Sequence, residues 1–149
     1  MSGRGDDLDR FVTAQEPVYG QVLAELRQGR KTSHWMWFTF PQIAGLGRSP
    51  TSEHFAIRSL DEAQAYLADP LLGARLRECT GLLLEITAAS AEEVFGAVDA
   101  RKLRSCMTLF HRAAPDEPIF RQVLAEWFDG TADPMTDALL EAAGRSRAQ

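Results

Sequence analysis

Apolar residues recur at helical spacing along almost the whole chain, and the polar residues between them have the form of helix ends. Leu8, Phe11 and Val12 share one face of a short helix over residues 7–15, since positions three and four apart lie on the same side of a helix. Val18, Tyr19, Val22, Leu23 and Leu26 repeat the pattern in a second helix, with Pro17 suited to its first turn and Gly29 to its stop. Ser59-Leu60-Asp61-Glu62 and Ser90-Ala91-Glu92-Glu93 have the capping-box form, in which serine and glutamate side chains satisfy the first free N–H groups. One opens a helix through Tyr66 and Leu67, the other a helix through Val94 and Phe95. Asp69-Pro70 and Asp133-Pro134 each place a cap before a first-turn proline, and Pro118 opens a helix that Gly130 ends. The remaining stripes run through Leu72, Leu76, Cys79 and Leu83, through Leu103, Met107 and Phe110 with Cys106, through Phe120, Val123, Leu124 and Trp127, and through Leu139 and Leu140.

No two alternating β-branched runs are joined by a hairpin turn, so the pattern predicts no substantial sheet. It predicts an all-α fold, a single compact domain over residues 1–149 with about seven or eight helices. The basic tail 145–149, past Gly144, is predicted to fray. The run Gln21-Val22-Leu23-Ala24-Glu25 recurs as Gln122-Val123-Leu124-Ala125-Glu126. The echo covers one helix only, and so marks two helices solving one packing problem and not a solenoid.

Residues 30–52 break the helical grammar. Arg30-Lys31-Thr32-Ser33-His34 is a cluster of donors, and Trp35-Met36-Trp37-Phe38-Thr39-Phe40-Pro41-Gln42 follows it directly. A short segment apolar on both faces passes through a core, so one reading is a buried aromatic crossover that Pro41, Gly45 and Gly47 turn back. The other reading is a pocket. Lys31 pairs with an anion, Ser33 and His34 hydrogen-bond it, Trp35 or Trp37 supplies a stacking wall, and Gln42 closes the segment. The helix around Asp99-Ala100-Arg101-Lys102-Leu103-Arg104-Ser105 offers Lys102, Arg104 and Ser105 to the same pocket if it faces the aromatic run, and is otherwise a solvated basic face. His54 and His111 are isolated and read as structural.

Composition narrows the function. A chain of 149 residues with 45% hydrophobic content buries roughly 68–70% of its unfolded surface and folds without disulfide or metal. The net charge of −5 opposes a general nucleic-acid-binding role, which needs a basic face. Cys79 and Cys106 form no CxxC and no pattern with the histidines, so they read as reduced core thiols. The N-terminal MSGRGDDLDRF has no apolar core of a leader, and no apolar run approaches the ~20 residues of a membrane span. A cytoplasmic location and no membrane partner are expected. No GxxxxGK[ST], GxGxxG, HExxH or GxSxG is present, so no metal or cofactor is predicted.

The segment 29–42 resembles the domain-of-unknown-function family 1810 of bacteria. Asp9-Arg10-Phe11, Ala56-Ile57, Glu62-Ala63 through Tyr66-Leu67, and Leu72-Gly73 with Arg75-Leu76 extend the match. So do Lys102-Leu103-Arg104-Ser105, Met107-Thr108-Leu109-Phe110, and Asp133 with Thr136. The resemblance spans nearly the whole chain and implies a compact all-α fold, with no activity attached. A calpastatin-type inhibitor, which works through disordered repeats, does not fit a capped, apolar, non-repetitive chain. Separately, Pro50-Thr51-Ser52-Glu53-His54-Phe55, with Ala74-Arg75-Leu76 downstream, is similar to a motif of the NADAR family, which acts on N-glycosidic bonds of ADP-ribose-related compounds. That likeness implies Glu53 as an acid/base or charge-stabilising carboxylate, although the chain lacks an Arg-x-Asp-Trp segment. Three functions are thus carried forward: binding of an anionic nucleotide-like or sugar-phosphate ligand, glycosidic hydrolysis through Glu53, and a protein-interaction module. The last would use an exposed aromatic or basic patch and is favoured by Trp35 and Trp37 on an exposed surface, with the protein partner left open.

Overall fold

The computed structural model describes residues 6–87 and 90–148, and among these there are nine helices and no strand. They are α1 (Asp6–Gln15), α2 (Tyr19–Gln28), α3 (Met36–Thr39), α4 (Pro50–His54), α5 (Leu60–Ala68), α6 (Pro70–Glu85), α7 (Ala91–Ala113), α8 (Pro118–Trp127) and α9 (Pro134–Ala148). The caps follow the sequence signals. Ser59 Oγ accepts from Glu62 N, Ser90 Oγ from Glu93 N, and Asp69 Oδ1 from both Leu71 N and Leu72 N. Each such cap contributes about 1 kcal/mol.

Two helices organise the core. In α7, Leu103 and every residue from Ser105 to Phe110 are buried, so the helix is covered on all sides. A helix apolar all round belongs at the centre of a domain, and α7 packs against α5, α8 and α9. Its neighbour α6 buries Leu72, Leu76, Cys79 and Leu83, and it is flanked by α2 and α8, the two helices that share the Gln-Val-Leu-Ala-Glu run. Tyr66, Phe110 and Phe120 form a chain of rings through the centre, with Phe11 edge-on to Tyr66. Among the described residues no helix is long and apolar enough to cross a membrane.

Several boundaries differ from the sequence expectation. Pro17 lies in the turn before α2 and not in its first turn, because Glu16 N and Val18 N close that turn on Val12 and Gln15. The aromatic crossover contains one helical turn, α3, and a second short helix, α4, interrupts the stretch after it. Gly144 does not stop the last helix, which continues to Ala148 with an Arg145–Glu141 pair one turn apart; the final residue of the tail, Gln149, lies outside the described residues. In α7, Gly96 (φ 79°, ψ 162°) breaks the helix into two pieces. That backbone conformation suits glycine alone.

Two glycines of α6 make a test of packing. A Cβ at Gly73 would overlap the Leu67 carbonyl oxygen and lie 2.7 Å from Arg77 Nη1, whereas one at Gly81 would meet only Ile119 Cδ1 at 4.0 Å. Gly73→Ala is expected to cost about 2 kcal/mol through overpacking. Gly81→Ala is expected to add about 0.5–1 kcal/mol by removing backbone entropy from the unfolded chain. Urea denaturation of the two variants beside the parent checks both signs.

Candidate functional site

The donor cluster at 31–34 is folded over a carboxylate that the sequence hides in an apolar stripe. Glu25 stands between Val22 and Leu26 on the inner face of α2 and is only 2% exposed. Gly29 ends α2 in the left-handed conformation. Arg30 N donates to Glu25 O and Gly29 N to Leu26 O, the paired bonds of a Schellman turn. The turn reverses the chain, so that residues 32–35 pass back across the side chain of Glu25. Its carboxylate accepts from Thr32 N (2.7 Å), Ser33 N (3.0 Å), Ser33 Oγ, Trp35 Nε1 (2.9 Å) and Gln21 Nε2 (2.8 Å). Burial on its own would raise the pKa of this carboxyl. The bonds from Ser33, Gln21, Thr32 and Trp35 outweigh that effect and hold it far below the ordinary carboxylate range.

A second charge pair joins this cluster to α7. The break at Gly96 leaves the Val94 carbonyl without a continuing turn, and Lys31 N donates to it at 2.9 Å. The Lys31 ammonium then reaches Asp99 Oδ2 (2.8 Å) and Ser33 O (2.6 Å), and stands 5.1 Å over the Trp35 ring. Asp99 also accepts from Lys102 (3.2 Å), whose ammonium lies 3.7 Å over the Trp37 ring. Burial opposes ionisation of Asp99, but Lys31 first and Lys102 second keep its carboxyl below the ordinary range. One continuous polar chain therefore runs from Glu25 through Ser33, Lys31, Asp99 and Lys102 to Trp37.

Trp37 divides a two-lobed cleft. One lobe, a cavity of about 330 Å³, is lined by Arg48, Ser52, Glu53, Phe55 and Arg58. The other, of about 280 Å³, is lined by Val98, Arg101, Lys102, Arg104, Ser105 and Asp133. Trp37, Gln42, Leu46 and Gly47 line both. Gln42 is anchored by its backbone, since Ile57 N donates to Gln42 O (2.8 Å) and Ala44 N to Ile57 O (2.7 Å), an isolated parallel bridge between Ile43 and Ile57. That bridge brings Arg48 and Arg58 to one cavity. Gly47 passes so close to Ser52 that a Cβ would lie 2.6 Å from its Oγ.

On the far side, α7 holds the start of α9. Arg104 donates to Thr131 O and Ala132 O, Thr108 Oγ1 accepts from Asp133 N, and Ser105 Oγ lies 3.2 Å from Asp133 Oδ2. The same Asp133 oxygen accepts from Thr136 N and Thr136 Oγ1.

The structure thus divides the residues singled out from sequence. Trp37, Gln42, Lys102, Arg104 and Ser105 come together on the cleft, and α7 does face the aromatic run. Glu53, exposed on α4, lines the other lobe. Lys31, Ser33 and Trp35 belong to the Glu25 and Asp99 cluster, and Trp35, 1% exposed, offers no face for stacking. His34 is exposed and lines neither lobe. Ser105 and Thr108 are buried in the dock for α9, which corrects the solvated-face reading of this helix. Arg48, Arg58 and Arg101 are cleft residues that sequence reasoning did not select. Arg48 and Arg58 sit in stretches with no periodic signal, so only the Ile43–Ile57 bridge reveals them. Glu25 was likewise not selected, although it is the one acid in α2. Neither cysteine is poised for chemistry: burial pushes the Cys79 thiol up to about 12 and raises Cys106 as well. Among the described residues no group of three or more His, Cys, Asp or Glu is arranged to hold a metal ion.

A helical domain with a polar, two-lobed cleft at an aromatic crossover is the class that fold and site define. The chain belongs to the family described as a protein of unknown function (DUF1810), whose profile matches residues 5–140. It is similar to a conserved hypothetical protein from Mycobacterium tuberculosis known from its crystal structure: 54% identical, with a TM-score of 0.89, over 91% of this chain and 96% of that one. No curated protein matches.

Two expectations follow from the polar chain. Because the Glu25 carboxyl is depressed in the folded state, its stabilisation is complete above the unfolded value of about 4.3 and is lost as pH falls below that. Glu25→Gln is expected to lower stability by about 2 kcal/mol at neutral pH, because it sets an amide N–H donor against the donors that one carboxylate oxygen now accepts from. Urea midpoints at pH 6 and pH 3 should fall more steeply for the parent than for this variant. Lys31→Ala leaves Asp99 short of its nearer cation and is expected to cost about 1–3 kcal/mol in the same assay.

Proposed function

We propose that this protein binds a small anionic ligand, nucleotide-like or a sugar phosphate, in the cleft on either side of Trp37. The observation that carries this reading is the pair of arginines, Arg48 in one lobe and Arg101 in the other, whose side chains have no partner among the described residues. Fixed cations stand beside them. Lys102 is held by Asp99 and the Trp37 ring, and Arg104 by two backbone carbonyls, so neither has to be ordered when a ligand arrives. Gln42, whose amide likewise has no partner among the described residues, supplies a donor and an acceptor between the lobes. Lys102 covers one face of Trp37, so the ring serves the ligand as a wall and a seat for the ammonium more than as a stacking platform.

A second reading, hydrolysis of an N-glycosidic bond, is favoured by the placement of Glu53 in the same lobe as Arg48 and Arg58. There a carboxylate can act on a sugar whose anionic group the arginines hold. The interaction-module reading loses its aromatic basis, since Trp35 is buried and Trp37 half-buried.

A thermal-shift series over nucleotides, sugar phosphates and ADP-ribose derivatives tests binding. A ligand at ~100 times its dissociation constant adds about 2.7 kcal/mol, a rise of a few degrees for a chain of this size. Arg101→Ala is expected to melt like the parent without ligand and to lose most of the ligand-induced rise. An unchanged rise would remove the cleft from the reading. For the hydrolytic reading, Glu53→Gln is expected to bind ADP-ribose derivatives as the parent does while releasing no product by chromatography.

A further inference from the structure

We infer that the ligand of this cleft carries two anionic groups at opposite ends of a sugar-sized body, one seated in each lobe. The inference rests on the anion-binding reading above and adds to it the distribution of charge. The cavities, of about 330 and 280 Å³, lie at and just below the lower end of the ~300–1,000 Å³ range of small-molecule sites. One lobe therefore accommodates one sugar- or phosphate-sized group, and a larger ligand must use both.

The cations fall into two sets from different parts of the chain. Arg48 and Arg58 flank α4 in one lobe, while Arg101, Lys102 and Arg104 extend from α7 in the other. Between the sets the lining is neutral: the Trp37 ring, Leu46, the backbone of Gly47 and the amide of Gln42. The order along the cleft is cation, neutral polar, cation. A molecule with hydroxyls in its middle and charge at both ends reproduces that order, and one with all its charge at one end leaves either Arg48 or Arg101 without a counter-ion.

The acids of the lobes differ in a way that fits. The Asp133 oxygen in the α7 lobe is already engaged by Thr136 and stands beside Ser105, so it leaves the cations there to the ligand. Glu53, whose side chain is exposed in the other lobe and has no partner among the described residues, is an acceptor for a sugar hydroxyl.

The test is isothermal titration of the intact protein, at one low salt concentration, with fructose 1,6-bisphosphate, fructose 6-phosphate and pyrophosphate. Pyrophosphate concentrates its charge in one group, whereas the bisphosphate divides its charge across a sugar. The bisphosphate is expected to bind about tenfold or more tightly than either other probe. Arg48→Ala and Arg101→Ala, both at exposed positions, are each expected to weaken it, while only one of the two weakens fructose 6-phosphate. If pyrophosphate or the monophosphate binds as tightly as the bisphosphate, or if Arg48→Ala leaves the bisphosphate unaffected, the spanning inference is overturned and anion binding in a single lobe stands. If none of the three binds to the folded protein, the inference and the anion-binding reading fall together.

Discussion

Removing a carboxylate from water is among the most costly acts in protein folding, and this chain does it at Glu25 with five donors in place. Much of the site's geometry follows from that requirement. Two of the donors are backbone N–H groups, which fixes the path of residues 32 and 33 as well as their side chains. A third is the indole N–H of Trp35, which sets the ring against Phe40 and Phe95 and so determines where the aromatic crossover enters the core. The left-handed glycine at the end of α2 makes the reversal feasible, and the carboxylate makes it unique.

The break in α7 has the same character of a local irregularity answered elsewhere. A continuous helix would use the Val94 carbonyl internally. The conformation of Gly96 leaves it to Lys31, and the ammonium of that lysine then finds Asp99 one turn further along. Lys102 completes the series by resting on Trp37. The cleft thus inherits its cation from a chain of contacts that begins inside α2. The basic residues of α7 have separate duties: Lys102 supports Trp37, Arg104 fastens the loop before α9, and Arg101 is left exposed to solvent.

Much of the helical framework could be read from the sequence, because caps and stripes are local features. Ser59, Asp69, Ser90, Pro118 and Asp133 all stand at helix starts, and Gly29 and Gly130 both turn left-handed after helix ends. Pro17 misled because a proline fits a turn as well as a first helical turn. Gly144 misled because a glycine in a helix is only weakly unfavourable. The site was half legible. The pairing of Trp37 and Gln42 with Lys102, Arg104 and Ser105 was open in the sequence, since composition marks both stretches and only packing decides whether they meet. Lys31, Ser33 and Trp35 have the right chemistry for an anion and do hold one, but it is the protein's own: Ser33 and Trp35 hold Glu25, and Lys31 holds Asp99. Arg48 and Arg58 depend on a single bridge between Ile43 and Ile57, a contact that leaves no periodic trace.

The docking of α9 onto Asp133 carries a consequence for local motion. One oxygen of this aspartate caps the helix through Thr136 and stands beside Ser105 of α7, so forming the helix and attaching it are one event. Leu139 of the same helix lies over Gly45, where even a single methyl would collide with it at 2.9 Å. Local opening of the C-terminal helix therefore has to part Leu139 from the loop at Gly45 as well as Asp133 from α7. A molecule held in the α7 lobe, as proposed, would slow amide exchange along a helix that the lobe meets only at Asp133, the residue before its start.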